Sequence, residues 1–94
     1  MLESPDPLGR ESAIVKEARA KLQGGDPRGT LATLARLRTT GQNAVLAQER
    51  EVLTIQALSA LGDVEAARRR AKAFTAANPT SPHTPQLRRI ADAP

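Results

Sequence analysis

Aromatic residues are almost absent from this chain of 94 residues: Phe74 stands alone, with no tyrosine and no tryptophan. That scarcity argues against a β-sandwich, whose packing draws on aromatic and β-branched strands. The core must come from Leu, Ile, Val and Ala, which bury less area per residue than large rings. An alanine-rich interior favours helices in close contact. Cysteine is missing altogether, which removes disulfide frameworks and thiolate metal sites and leaves the redox compartment unassigned. The single histidine, His83, cannot supply a metal site alone, so no metal and no cofactor is expected. No run reaches the roughly 18 apolar residues of a membrane span. The opening MLESPDPLGRE has neither the basic nor the apolar region of a signal peptide. Direct membrane insertion of this segment is therefore not expected. A periplasmic or envelope domain of a larger protein and a cytoplasmic one both stay open.

The length fits one small domain of modest stability. Its charge is uneven. Residues 1–34 hold five acids and five bases, whereas residues 35–94 hold nine bases and five acids and so carry the whole net +4. Arg outnumbers Lys by 11 to 3.

Every apolar pattern in the chain has a period near 3.6 and none alternates, so the expected class is all-α. Residues 1–10 hold Pro5, Pro7 and Gly9 among polar side chains and read as a flexible linker. A first helix is expected from Glu11 or Ser12, with Ile14, Val15, Ala18 and Leu22 on one face, ending at Gly24-Gly25. Asp26-Pro27 opens a second helix as N-cap and first-turn proline. It carries Leu31, Leu34 and Leu37 and fades at Thr39-Thr40-Gly41. After a loop at 41–44, a third helix runs from Val45 to Leu61, with Leu46, Leu53, Ala57, Leu58 and Leu61 as its stripe. Asp63 caps a fourth over 64–77, with Ala67, Ala71 and Phe74 inward. Asn78-Pro79 stops it. Pro79, Pro82 and Pro85 make the next stretch irregular, and a short last helix follows within 84–92, Leu87 and Ile90 facing in. The domain thus spans 11–94 as two antiparallel hairpins, 11–40 and 45–78, plus a C-terminal helix.

Gly25-Asp26 and Gly62-Asp63 lie 37 residues apart, the mark of an internal repeat. Aligned on these turns, Ala18 matches Ile55, Thr30 matches Ala67, Leu34 matches Ala71 and Leu37 matches Phe74. Neither hairpin can bury its apolar face alone, and stacking the two buries both. In the second unit Leu58, Gly62, Ala67, Phe74 and Pro79 stand in the order and near the spacing of the tetratricopeptide repeat signature, and the stretch Leu58–Pro82 resembles that family. It is also similar to short repeat segments at the ends of bacterial envelope proteins. Ile14 and Glu51 replace the family's first-helix aromatic, Thr30 replaces its small alanine, and Gln42 replaces the closing proline of the first unit. With only two repeats, the last helix caps the stack, the domain pairs with a copy of itself, or the chain is part of a longer one.

The resemblance implies a protein–protein interaction module that holds a peptide or partner protein in a groove lined by the first helix of each unit. Its groove positions would be Val15, Arg19 and Gln23, then Glu49, Val52 and Gln56. The triplet Glu49-Arg50-Glu51 reads either as a solvated face or as a wall of that groove. Enzymatic chemistry is not expected. His83 has no nucleophile or carboxylate beside it and reads as a surface or capping residue, and no serine sits in a nucleophile turn. Arg68, Arg69, Arg70 and Lys72, with Arg88 and Arg89, offer an alternative: a nucleic-acid-binding basic helix. Two facts argue against nucleic acid. There is no aromatic platform for base stacking, and consecutive bases splay around a helix, so part of the cluster must face the neighbouring hairpin or the tail. A structural or homodimerising segment is the remaining alternative.

Overall fold

The computed structural model describes residues 7–37 and 44–93. Five helices follow one another: α1 (Pro7–Gln23), α2 (Pro27–Leu34), α3 (Ala44–Ala60), α4 (Val64–Ala77) and α5 (Thr84–Ala91). No strand occurs among the described residues, and the all-α expectation holds. No helix among them is long and apolar enough to cross a membrane.

The two inter-helix turns are built alike. Gly25 and Gly62 have φ of +84° and +87°, a region open to glycine because it lacks a Cβ. The Gly25 amide donates to the Leu22 carbonyl at 3.1 Å and the Asp26 amide to Lys21 at 2.8 Å. One unit later Gly62 donates to Ser59 at 3.0 Å and Asp63 to Leu58 at 2.9 Å. Each pair closes a Schellman motif. Each aspartate then caps the next helix: Asp26 accepts from the Gly29 amide at 2.9 Å and Asp63 from Ala66 at 3.4 Å. One residue therefore ends one helix and starts its antiparallel neighbour.

Helix boundaries differ from expectation at the start of α1, at the end of α2 and by one residue at each end of α3. α1 begins at Pro7, a turn before the expected start, so residues 7–10 are helical and not linker. A first-turn proline needs no amide donor and its fixed φ suits the helix. α2 ends at Leu34, where Arg36 and Leu37 switch to tighter bonds with Thr33 and Leu34. α5 falls within the expected 84–92, with Thr84 and Pro85 as its first turn. Residues 1–6 of the expected linker and 41–43 of the expected loop at 41–44 lie outside the described residues, as does the expected fade at Thr39-Thr40-Gly41, whereas Ala44, expected in the loop, is the first residue of α3.

Two apolar clusters share α3. Val15, Ala18 and Leu34 pack with Leu53, with Leu22 and Leu37 at the margin. Val52 and Ile55 pack with Ala67, Ala71, Phe74, Leu87 and Ala91, with Leu58 and Ile90 at the margin. Repeat-related positions are buried in parallel: Ala18 with Ile55, and Thr30 with Ala67, each fully enclosed. Thr30, standing where the resemblance wanted alanine, satisfies its hydroxyl by donating to the Asp26 carbonyl at 2.9 Å and more weakly toward Ala18 at 3.4 Å. Leu61, expected in the α3 stripe, lies in the turn and is exposed.

Phe74 belongs to the larger cluster with Leu87, and its ring meets His83 edge-on at 6.5 Å. Phe74→Ala should cost about 3–5 kcal/mol through lost burial and a residual cavity. Ala67→Leu should cost about 1–3 kcal/mol by overpacking the α3–α4 contact. Chemical denaturation followed by circular dichroism measures both, and an unchanged midpoint for either would show that the packing assignment is wrong.

Candidate functional site

The first helix of each hairpin, together with α5, encloses a concavity of about 490 Å³. α1 supplies Arg19, Leu22 and Gln23, α3 supplies Glu49, Val52, Leu53 and Gln56, and the α5 region supplies His83 and Gln86. Five of the six expected groove positions meet here. Val15 does not: it is 1 % exposed and packs in the core with Ala18 and Leu34. A helical turn takes fewer than four residues, so each four-residue step overshoots a full turn. The line from Val15 through Arg19 to Gln23 therefore rotates from core to groove.

Leu22, Leu53, His83 and Gln86 complete the lining without having been expected in it. A signal for the last two is present in the sequence. Leu53 and Ala57 recur, at the same spacing from each other, as Leu87 and Ala91, and all four are buried. The same offset carries Glu49 onto His83 and Val52 onto Gln86. α5 thus occupies the place of a third unit's first helix. Its opposite side, with Arg88 and Arg89, is exposed, as suits the polar outer face of a capping element. His83 precedes α5 but gives it no side-chain cap. It is half-buried against Phe74 at the edge of the groove.

The Glu49-Arg50-Glu51 triplet is not simply a solvated face. Each member reaches another helix. Glu49 pairs with Arg19 of α1 at 2.8 Å, Arg50 approaches Glu11 of α1 at 3.8 Å, and Glu51 takes a two-pronged hydrogen bond from Arg70 of α4, 2.9 Å on each prong. Three consecutive residues point in three directions because each advances by about 100°. A fourth α3 side chain, Gln48, holds the α4–α5 connection, accepting from the Ser81 hydroxyl at 2.9 Å and facing Asn78 at 3.5 Å. The Thr84 hydroxyl also donates to the Asn78 carbonyl.

The basic cluster divides as its splay requires. Arg70 turns to α3 of its own hairpin through Glu51, not to the neighbouring hairpin, and Arg68 donates to the Ala93 carbonyl of the tail at 2.9 Å and to Glu65 at 2.8 Å. Arg69, Lys72, Arg88 and Arg89 are exposed and have no ion pair among the described residues. The hydrogen bonds from Arg68 hold the Glu65 carboxyl below the usual carboxylate range. At Glu17, loss of solvent pushes upward, but hydrogen bonds from Lys21 and Arg36 more than offset it and the carboxyl is also lowered. Both groups stabilise the fold above the ordinary carboxylate range, and that contribution is lost as pH falls through their lowered folded-state values. Among the described residues no group of His, Asp and Glu could hold a metal ion.

Glu11 is 9 % exposed, and its Oε2 has no hydrogen-bond partner although Arg50 lies 3.8 Å away. Arg50→Ala should therefore cost about 1–3 kcal/mol by leaving a buried carboxylate uncompensated. Arg36→Ala, which opens the exposed pair with Glu17, should cost far less, because water and salt already screen that pair. Adding Glu11→Leu to Arg50→Ala should recover most of the loss, since the stranded charge is then gone. Equal costs for the two single variants in urea denaturation would refute the buried pair.

The chain matches no protein-family model, no curated protein and no solved structure.

Proposed function

We propose that this chain is a protein–protein interaction module of tetratricopeptide-repeat-like architecture, and not an enzyme, which binds a peptide or partner protein in the concavity of α1, α3 and α5. One observation carries the reading: side chains from three helices separated in sequence converge on a single open concavity, while the other helices of the hairpins close the core behind it. The floor is apolar, with Leu22, Val52 and Leu53, and the rim is polar, with Gln23, Gln56 and Gln86. An apolar centre inside a polar rim is the usual anatomy of a protein-binding patch. Its modest size points to modest affinity.

The nucleic-acid alternative draws less support. Arg68 and Arg70 are engaged by Glu65 and Glu51, which leaves Arg69, Lys72, Arg88 and Arg89 for phosphate contact without a surface aromatic for stacking.

The absence of native cysteine makes the reading testable by site-specific labelling. Gln56→Cys, in the groove, and Arg28→Cys, exposed on α2, would each carry a photo-crosslinker in a lysate of the source cells. Groove-specific adducts, absent from the Arg28→Cys protein, are the expected result. Equal labelling from both sites would overturn the proposal. An adduct at twice the 10.0 kDa chain mass would identify the occupant as a second copy and favour the homodimer.

A further inference from the structure

Three of the four glutamines that the structure describes line the concavity: Gln23 from α1, Gln56 from α3 and Gln86 from α5. Among the described residues none of these three carboxamides has a hydrogen-bond partner. The fourth glutamine, Gln48, is committed to Ser81 and Asn78. The formal charges of the concavity cancel, because Arg19 and Glu49 close on each other at 2.8 Å. The surplus positive charge of the second half of the chain sits elsewhere, on the exposed Arg69, Lys72, Arg88 and Arg89.

We infer that the groove takes an extended, uncharged peptide segment and holds it by its main chain, through Gln23, Gln56 and Gln86. This rests on the reading of the concavity as a binding site and names the occupant. A carboxamide carries one acceptor oxygen and a two-hydrogen donor, the same pair of functions as a peptide group. An extended backbone presents its N–H and C=O groups sideways along its length, about 3.3 Å per residue, with side chains pointing to either face. Side chains on one face meet Leu22, Val52 and Leu53, while backbone groups meet the glutamines on the rim. A charged side chain entering the same space finds Arg19 and Glu49 already satisfied, and it loses water without gaining a counter-ion. Neutral hydrogen bonds and apolar contact depend little on ionic strength, whereas attraction to the exposed bases is screened by salt.

The experiment selects a random peptide library displayed on phage against the full 94-residue chain. Selected peptides are then measured by fluorescence anisotropy at about 50 and 500 mM NaCl. The expected peptides carry no net charge and change affinity less than about twofold between the two salts. Gln56→Ala and Gln86→Ala should each weaken them by up to about tenfold, and replacing a central peptide bond of the ligand by an ester should weaken binding similarly. Circular dichroism confirms that these surface variants keep their helix. Acidic peptides whose affinity collapses with salt, but which Gln56→Glu excludes, would overturn the uncharged occupant and leave the groove standing. Peptides indifferent to every groove variant, or lost only when Arg69, Lys72, Arg88 and Arg89 become Gln, would overturn both. Failure to select any peptide would also overturn both.

Discussion

Val52 and Leu53 are neighbours in sequence, yet they serve different clusters, one with Ala67, Phe74 and Leu87 and the other with Val15, Ala18 and Leu34. A helix can do this because consecutive side chains diverge by about 100°. α3 is the only described helix with residues in both clusters, so neither hairpin owns it. Glu49, Arg50 and Glu51 repeat the arrangement in charge, reaching α1 twice and α4 once. Glu49, Val52, Leu53 and Gln56 line the groove from a helix pinned on both flanks.

The second constraint is the twin turn. In each hairpin, a glycine with positive φ and an aspartate bonded both backward and forward reverse the chain within a few residues. The same turn placed twice sets both second helices against their first helices in the same way. That is why Thr30 and Ala67, different in chemistry, are equally enclosed. The hydroxyl at Thr30 is tolerated only because the Asp26 carbonyl at the turn accepts its hydrogen.

Legibility in the sequence follows the strength of local punctuation. α4 is readable to the residue, since Asp63 caps it and Asn78-Pro79 stops it. The start of α1 is not, because Pro7 reads as a breaker although a first-turn proline sacrifices no hydrogen bond. The end of α2 is obscured for a related reason: Leu37 continues the apolar spacing and is half-buried, but the backbone has already left the α-helix at Ala35. For the groove, the positions that the resemblance implies include Arg19, Gln23, Glu49, Val52 and Gln56, but the line from Gln23 back to Val15 ignores the drift that accumulates with each four-residue step, and so includes a core residue. His83 and Gln86 stay hidden because no glycine follows Gly62 to mark a third turn, and the offset that carries Leu53 and Ala57 onto Leu87 and Ala91 is shorter than the spacing between the two turns. Ion pairs between helices are not legible at all, since sequence alone does not say which exposed carboxylate faces which guanidinium.

Those pairings have an evolutionary consequence. Among the described residues, Glu11, Glu17, Glu49, Glu51 and Glu65 are each matched to an arginine or lysine, and Asp26 and Asp63 cap helices. All the described acids but Asp92 are therefore engaged within the fold, whereas Arg69, Lys72, Arg88 and Arg89 have no ion pair among the described residues. Random substitution would be filtered unequally by sign: losing a carboxylate removes an ion pair or uncaps a helix, most costly at buried Glu11, while losing Arg69 or Lys72 changes only the surface. Over generations the negative positions would stay put and the positive ones would drift, so the net charge of such a domain would be free to wander without moving its backbone.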